Sequence, residues 1–288
     1  MIKKISDFIW RTIAWLYDRT CGSFAGVARQ RSRARDSQGR TISVVIAHYN
    51  RGDRIHRPLA NIIADPRVDE ILIVDDASEP VQYEALCRNV KKLDHQGKVR
   101  IYRQEKNLGV VRNKLDAVRR AKGKWMILLD SDNTIFRNYL NQIFAMPSWD
   151  PKVKYCPSWA FPYFSFRRLV GERIDFNRAA ELCRDLTLRR VYIINDGNYF
   201  FNRQEYLDQL SILENLQNDV ADVMVANYLW LSRGNSLEVL GGAFYMHRID
   251  ASSFWMRTQV ESRKRVMELF GRFERNERWD DSVLNGIE

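Results

Sequence analysis

Asp130-Ser131-Asp132 sets two carboxylates two residues apart, a hard oxygen pair suited to Mg2+ or Mn2+ when phosphate oxygens and water complete the coordination. Asp75-Asp76-Ala77-Ser78 offers carboxylates that can accept hydrogen bonds from a base N–H or a ribose hydroxyl, although Asp and Ser also serve as helix caps. In Asn107-Leu108-Gly109-Val110-Val111-Arg112-Asn113, the glycine permits a tight turn close to a ligand. Arg112 can then reach phosphate from a first helical turn. His48-Tyr49-Asn50 is a further polar cluster, from which Asn50 joins Asp76, Asn107, Gly109, Arg112 and Asp130 as a ligand-binding candidate.

Each of these groups lies just after a short hydrophobic run: Ile42–Ala47, Ile71–Val74, Val99–Tyr102 or Trp125–Leu129. Such runs, rich in β-branched residues and without alternation, read as buried strands, and the segments between them are long enough for helices. Gly123 is expected to close the last of these helices. The series predicts an α/β fold with a mostly parallel central sheet flanked by helices. Sheets of this kind bind ligands outside the carboxyl ends of their strands, where every polar cluster falls.

The chain has 288 residues, of which 45 % are apolar and 12 % aromatic, enough for a full core. Cys21, Cys87, Cys156 and Cys183 form no C-x-x-C pair, so neither a disulfide framework nor a structural zinc site is indicated, and a reducing compartment is expected. Net charge is +10, and residues 1–40 carry nine Lys/Arg against three Asp, leaving +4 for the rest.

No stretch reaches the ~20 apolar residues that span a bilayer, and Asp7 and Arg11 interrupt any signal-like apolar region. On a helical wheel Ile2, Ile5, Ile9, Ile13 and Leu16 share one side, with Trp10 and Trp15 near its borders. That pattern, followed by Arg29, Arg31, Arg33 and Arg35, suits an amphipathic helix lying on an anionic membrane surface. The alternative use of this helix is packing on its own domain or on a second subunit. No nucleic-acid-binding motif accompanies the arginines.

The ordered set Ile42–Asn50, Ile73-Val-Asp-Asp-Ala-Ser78, Asn107-x-Gly-x-x-Arg-Asn113, Ala121-x-Gly123 and Leu129-Asp-Ser-Asp-Asn133 resembles the nucleotide-binding half of family 2 glycosyltransferases with the GT-A fold. The resemblance implies a nucleotide-diphosphate sugar as donor, UDP by family frequency, and a glycan or lipid-linked acceptor receiving one sugar with inversion. It implies that Asp76 contacts the nucleotide and that Asp132, helped by Asp130, holds the metal. An acid at the start of a later helix acts as base in such enzymes. Ala221-Asp222 before Arg233-Gly234 is the nearest match, although Ala221 and Met224 stand where the pattern has acids. Asp219 and Asp196 compete with Asp222 for that role. Phe244-Tyr-Met-His247-Arg248 resembles a late segment whose His or Arg meets the diphosphate or the metal, which makes His247 a metal candidate, with a buried, satisfied histidine as the plain alternative.

The implied layout is a basic amphipathic segment at 1–40, a nucleotide-sugar-binding half at 41–145, an acceptor half at 146–250 and a helical segment at 251–288. The aromatic stretch Trp159–Phe166 serves either as a sugar-stacking wall or as core. The implied location is the cytoplasmic, inner face of a membrane, held peripherally. A phosphate-receiving signalling domain leaves the strand at Ile42 unexplained, and a nucleotidyltransferase lacks its Gly-rich loop here. A processive polysaccharide synthase needs membrane spans and a Q-x-x-R-W motif. The remaining alternative is a catalytically inactive scaffold of the same fold at a membrane surface.

Overall fold

The computed structural model describes residues 39–184, 193–194, 197–216, 220–248 and 254–285. The expected N-terminal amphipathic helix and the competing acids Asp196 and Asp219 lie outside the described residues.

Strands β1 (Ile42–His48), β2 (Val68–Asp75), β3 (Val99–Arg103) and β4 (Trp125–Asp130) each end one residue beyond the apolar run that predicts them. β2 starts earlier than its run because Glu70, although buried, is satisfied by Ser43 Oγ at 2.7 Å, the Lys122 N–H at 2.8 Å and the Arg100 guanidinium. These four strands are parallel, in the order β3-β2-β1-β4. Their register sets His48 opposite Asp75, Ala47 opposite Asp130 and Asp75 opposite Arg103, so the polar ends share one edge.

Helix α1 (Pro80–Leu93) follows β2, and α2 (Val110–Arg120) follows β3. On α2 the buried residues Val111, Leu115 and Val118 recur at helical spacing and seat the helix against the sheet. Gly109 precedes it at φ +87°, a backbone angle that glycine alone adopts freely. Gly123 does not close this helix as expected. The helix stops at Arg120, Ala121 is already extended, and Gly123 instead lies against Ser43, with no room there for a Cβ.

The second half extends the same sheet. The acidic turn after β4 leads into β5 (Thr134–Ile135) and α3 (Arg137–Ala145). Then come β6 (Val153–Phe161), β7 (Phe164–Ser165), β8 (Arg173–Ile174), α4 (Phe176–Arg184), β9 (Phe200–Asn202), α5 (Arg203–Leu210), α6 (Asp222–Ser232), β10 (Ser236–Met246) and α7 (Gln259–Glu274). The sheet order is β3-β2-β1-β4-β9-β6-β10-β5. β9 enters antiparallel between β4 and β6, so the sheet is parallel in the first half and mixed as a whole.

One pairing matters most for the site. β5 runs antiparallel to the end of β10, with Thr134 opposite Met246, and this places the Asp130–Asn133 turn beside His247 and Arg248. Most of the aromatic stretch serves the core: Phe161 and Phe166 are buried, Trp159 is partly covered, and Tyr163 is exposed. No helix among the described residues is long and apolar enough to cross a membrane. Cys87, Cys156 and Cys183 are free thiols.

Candidate active site

The edge formed by β1, β2 and the start of α2 is a network of short polar loops. Asp75 is fully buried, and its Oδ1 meets His48 Nδ1 at 2.8 Å and the Ser78 hydroxyl, while the Ser78 N–H donates to Oδ2 at 3.1 Å. Burial opposes ionisation of Asp75, but these contacts with His48 and Ser78 outweigh it and hold the carboxyl below its usual range. Asp76 turns the other way and accepts the N–H groups of Leu108 at 2.7 Å and Gly109 at 3.1 Å. Asn107 Oδ1 accepts the Gly109 N–H as well, and Asn107 Nδ2 donates to the Asp76 carbonyl at 3.3 Å. Asn50, at φ +50°, accepts the Glu79 N–H through its side chain at 2.8 Å. The structure therefore brings Asn50, Asp76, Asn107 and Gly109 together.

Arg112 is exposed and donates from Nε to the Glu214 carbonyl at 2.9 Å, tying α2 to the second half rather than turning towards Asp76.

The centre of the site is a residue that sequence reading passed over. Lys114 Nζ lies 2.7 Å from Asp222 Oδ2 and 3.2 Å from Asp130 Oδ1, so one ammonium joins the first acid of the D-x-D turn to the acid that opens α6. Burial pulls this amine down, but Asp130 and Asp222 outweigh it and hold Lys114 protonated well above the ordinary lysine range. Asp130 feels the converse: burial raises its carboxyl, Lys114 lowers it more, and the net shift is downward. Its backbone N–H donates to Asn198 Oδ1 at 2.9 Å, and Asn133 Nδ2 reaches its Oδ2 at 3.3 Å. Lys114 sits within the buried Val111-Leu115-Val118 stripe of α2, and a lysine in that stripe is the signal that could have found it.

Asp132 is 6 % exposed and faces Arg51 Nη1 at 3.2 Å. Burial pushes its carboxyl up and the neighbouring Asp130 adds to this, against the pull of Arg51. Arg248 clamps the turn, donating to the Asp132 carbonyl at 3.1 Å and Thr134 Oγ1 at 2.8 Å, while its N–H reaches Asn133 Oδ1 at 3.0 Å. His247 Nδ1 shares a 2.9 Å hydrogen bond with the Tyr245 hydroxyl. Burial lowers the imidazole's proton affinity, and nearby Asp130 partly restores it. Arg51 and Arg248 are thus part of the site, and only the His-Arg resemblance pointed towards either.

Residues 43–211 match the model of the family described as glycosyl transferase family 2. The chain belongs to that family. As a family 2 glycosyltransferase it is 30 % identical over 126 residues to the mouse protein named inactive polypeptide N-acetylgalactosaminyltransferase-like protein 5, covering 41 % of this chain and 28 % of that one. It is 26 % identical over 109 residues to the succinoglycan biosynthesis protein ExoU of Rhizobium meliloti, covering 38 % of this chain and 31 % of the relative. The chain thus spans about a third of the length of these curated relatives. Among solved structures, GalNAc-T7 with UDP, GalNAc and Mn2+ superimposes with a TM-score of 0.55 at 17 % identity, over 81 % of this chain and 50 % of that one, a likeness of fold.

Among the described residues no group of three or more His, Cys, Asp or Glu could by itself hold a metal ion. Two neighbouring carboxylates, Asp130 and Asp132, are the hard oxygen donors present, and they face Lys114 and Arg51 respectively.

Proposed function

We propose that this chain transfers one sugar from a nucleotide-diphosphate sugar, UDP-linked, to a hydroxyl of a glycan or lipid-linked acceptor, with inversion at the anomeric carbon. The observation that carries this reading is Asp222. It opens α6, faces the same Lys114 as Asp130 does, and lines a small cavity together with both.

In the proposed reaction Asp222 takes the proton of the acceptor hydroxyl as that oxygen bonds to the anomeric carbon. The bond from that carbon to the β-phosphate oxygen breaks, and the nucleoside diphosphate leaves. Such base catalysis is typically worth ~10²–10⁴-fold. Lys114 orients the Asp222 carboxylate. Asp76, Asn107, Gly109 and Asn50 form the loops against which the nucleoside lies, and Arg112 stands at their rim. Asp132, with Asp130 and His247 alongside, would hold Mn2+ or Mg2+, which supplies electrostatic stabilisation to the departing diphosphate. Support for UDP and manganese comes from the ligands of GalNAc-T7, and support for a glycan acceptor from the naming of ExoU.

The same proposal places the enzyme on the inner face of a membrane through residues 1–35, whose isoleucine face and arginines carry the reading. Deleting residues 1–38 is expected to abolish co-sedimentation with anionic vesicles, and undiminished co-sedimentation would rule this anchor out.

The direct test is a panel of nucleotide sugars with Mn2+, scored for nucleoside diphosphate release with and without EDTA. Metal-dependent release from one donor supports the reading and names the sugar. If no donor is cleaved and none binds by calorimetry, the inactive scaffold becomes the better account.

A further inference from the structure

A cavity of ≈ 50 Å3 adjoins the Asp130–Lys114–Asp222 group. Its further lining includes Lys154, Asn198, Tyr206 and Asn227. At roughly 10–15 Å3 per water it holds about three to five water molecules, too little for a hexose ring but enough for one substituent of a ring.

The lining is rich in donors that lack an acidic partner. Lys154, on β6, is 2 % exposed, and its Nζ donates to Asn227 Oδ1 at 3.1 Å. The amine also lies 4.8 Å from the Trp230 ring centroid and 5.1 Å from that of Tyr206. No carboxylate pairs with it among the described residues, and burial pulls it down to about 7. Asn198 is 5 % exposed, its Oδ1 is committed to the Asp130 N–H, and its Nδ2 is buried without a partner among the described residues. Burying an amine without a counter-charge and an amide N–H without an acceptor is unfavourable, and both groups line one cavity next to the reacting groups.

We propose that this cavity receives the exocyclic carboxylate of a glycuronic acid carried by the donor, with Lys154 as its ion-pair partner and Asn198 as its second hydrogen-bond donor. A carboxylate accepts from both groups and supplies the counter-charge that Lys154 lacks. A hydroxymethyl group supplies no charge, and an acetamido group brings a further N–H into a site already rich in donors. This inference rests on the glycosyltransferase reading and specifies its donor.

The test is calorimetry on the full chain with Mn2+, using a nucleoside diphosphate alone and the matched glucose and glucuronate derivatives of whichever nucleoside diphosphate binds, UDP first. The glucuronate derivative is expected to bind about ten-fold or more tightly than the glucose derivative. Lys154→Met, which fills the same space with an apolar chain, is expected to remove that preference while leaving nucleoside diphosphate affinity and the melting midpoint in place. Equal binding of the two sugars by the native chain, or a preference that survives in Lys154→Met, overturns the inference and leaves the function reading standing. Failure to bind any of UDP, GDP, ADP or CDP overturns both. The comparison on the native chain decides the matter even if the variant does not fold.

Discussion

Lys114 donates to Asp222 across 2.7 Å, although 108 residues separate them in the chain. The same ammonium touches Asp130, so the strand end of the first half and the helix start of the second are held by a single side chain. In the proposed reaction this fixes the direction in which the base faces. Lys114→Met is expected to lower kcat about ten- to a hundred-fold, part of the value of a positioned base. Lys114→Arg, which keeps a cation beside both acids, should restore most of the lost kcat. Turnover and melting midpoints of the three proteins check this, and native kcat in Lys114→Met would refute a positioning role for Lys114.

Asp132 carries a burial penalty on its charge and is met by one arginine side chain, Arg51, itself partly solvated. Asp132→Ala is therefore expected to keep the fold while turnover falls about a hundred-fold or more. Melting midpoints and nucleoside diphosphate release measure the two effects separately. Native turnover in the variant would remove Asp132 from the metal-holding role.

Asp75 gives the pH dependence of stability. Its folded carboxyl titrates below its unfolded value of about 3.9. Its contribution is thus complete above that value and disappears as pH falls through the folded one. Asp75→Asn is expected to cost about 1–3 kcal/mol at pH 7, because the buried His48 and Ser78 lose an acceptor. The gap between native protein and variant should begin to narrow on acidification below about pH 4. Denaturant unfolding at pH 7 and pH 3.5 measures it, and a gap that widens in acid contradicts the assignment.

The first half of the fold was legible because β1, β2 and β4 are largely buried on both faces, so their apolar runs are uninterrupted and a polar turn marks each strand end, while the edge strand β3 is partly exposed and carries Arg100 within its run. Even there Gly123 misled. The sequence shows a glycine after a helix, whereas the fold needs a position without a side chain against Ser43. The second half is harder because β9 joins the sheet antiparallel with only three residues, and a strand that short leaves no periodicity to read.

The site follows the same division. Asn50, Asp76, Asn107 and Gly109 announce themselves as turn residues after strands, and the fold gathers them. Lys114, Lys154, Arg51 and Asn198 do not, since each looks ordinary until distant elements meet. Lys114 and Lys154 left one trace, a lysine inside an otherwise buried stripe or strand. A long side chain there reads as a solvated surface group unless the whole face is counted.

The most direct test of the central claim is the pair of native protein and Asp222→Asn, compared in donor binding by calorimetry and in turnover with the donor found to react. The substitution keeps the shape of the side chain and its place at the start of α6 but removes the proton acceptor. The account predicts donor affinity within about three-fold of native and a turnover lower by ~10²–10⁴-fold. Donor binding with full turnover in Asp222→Asn would contradict it.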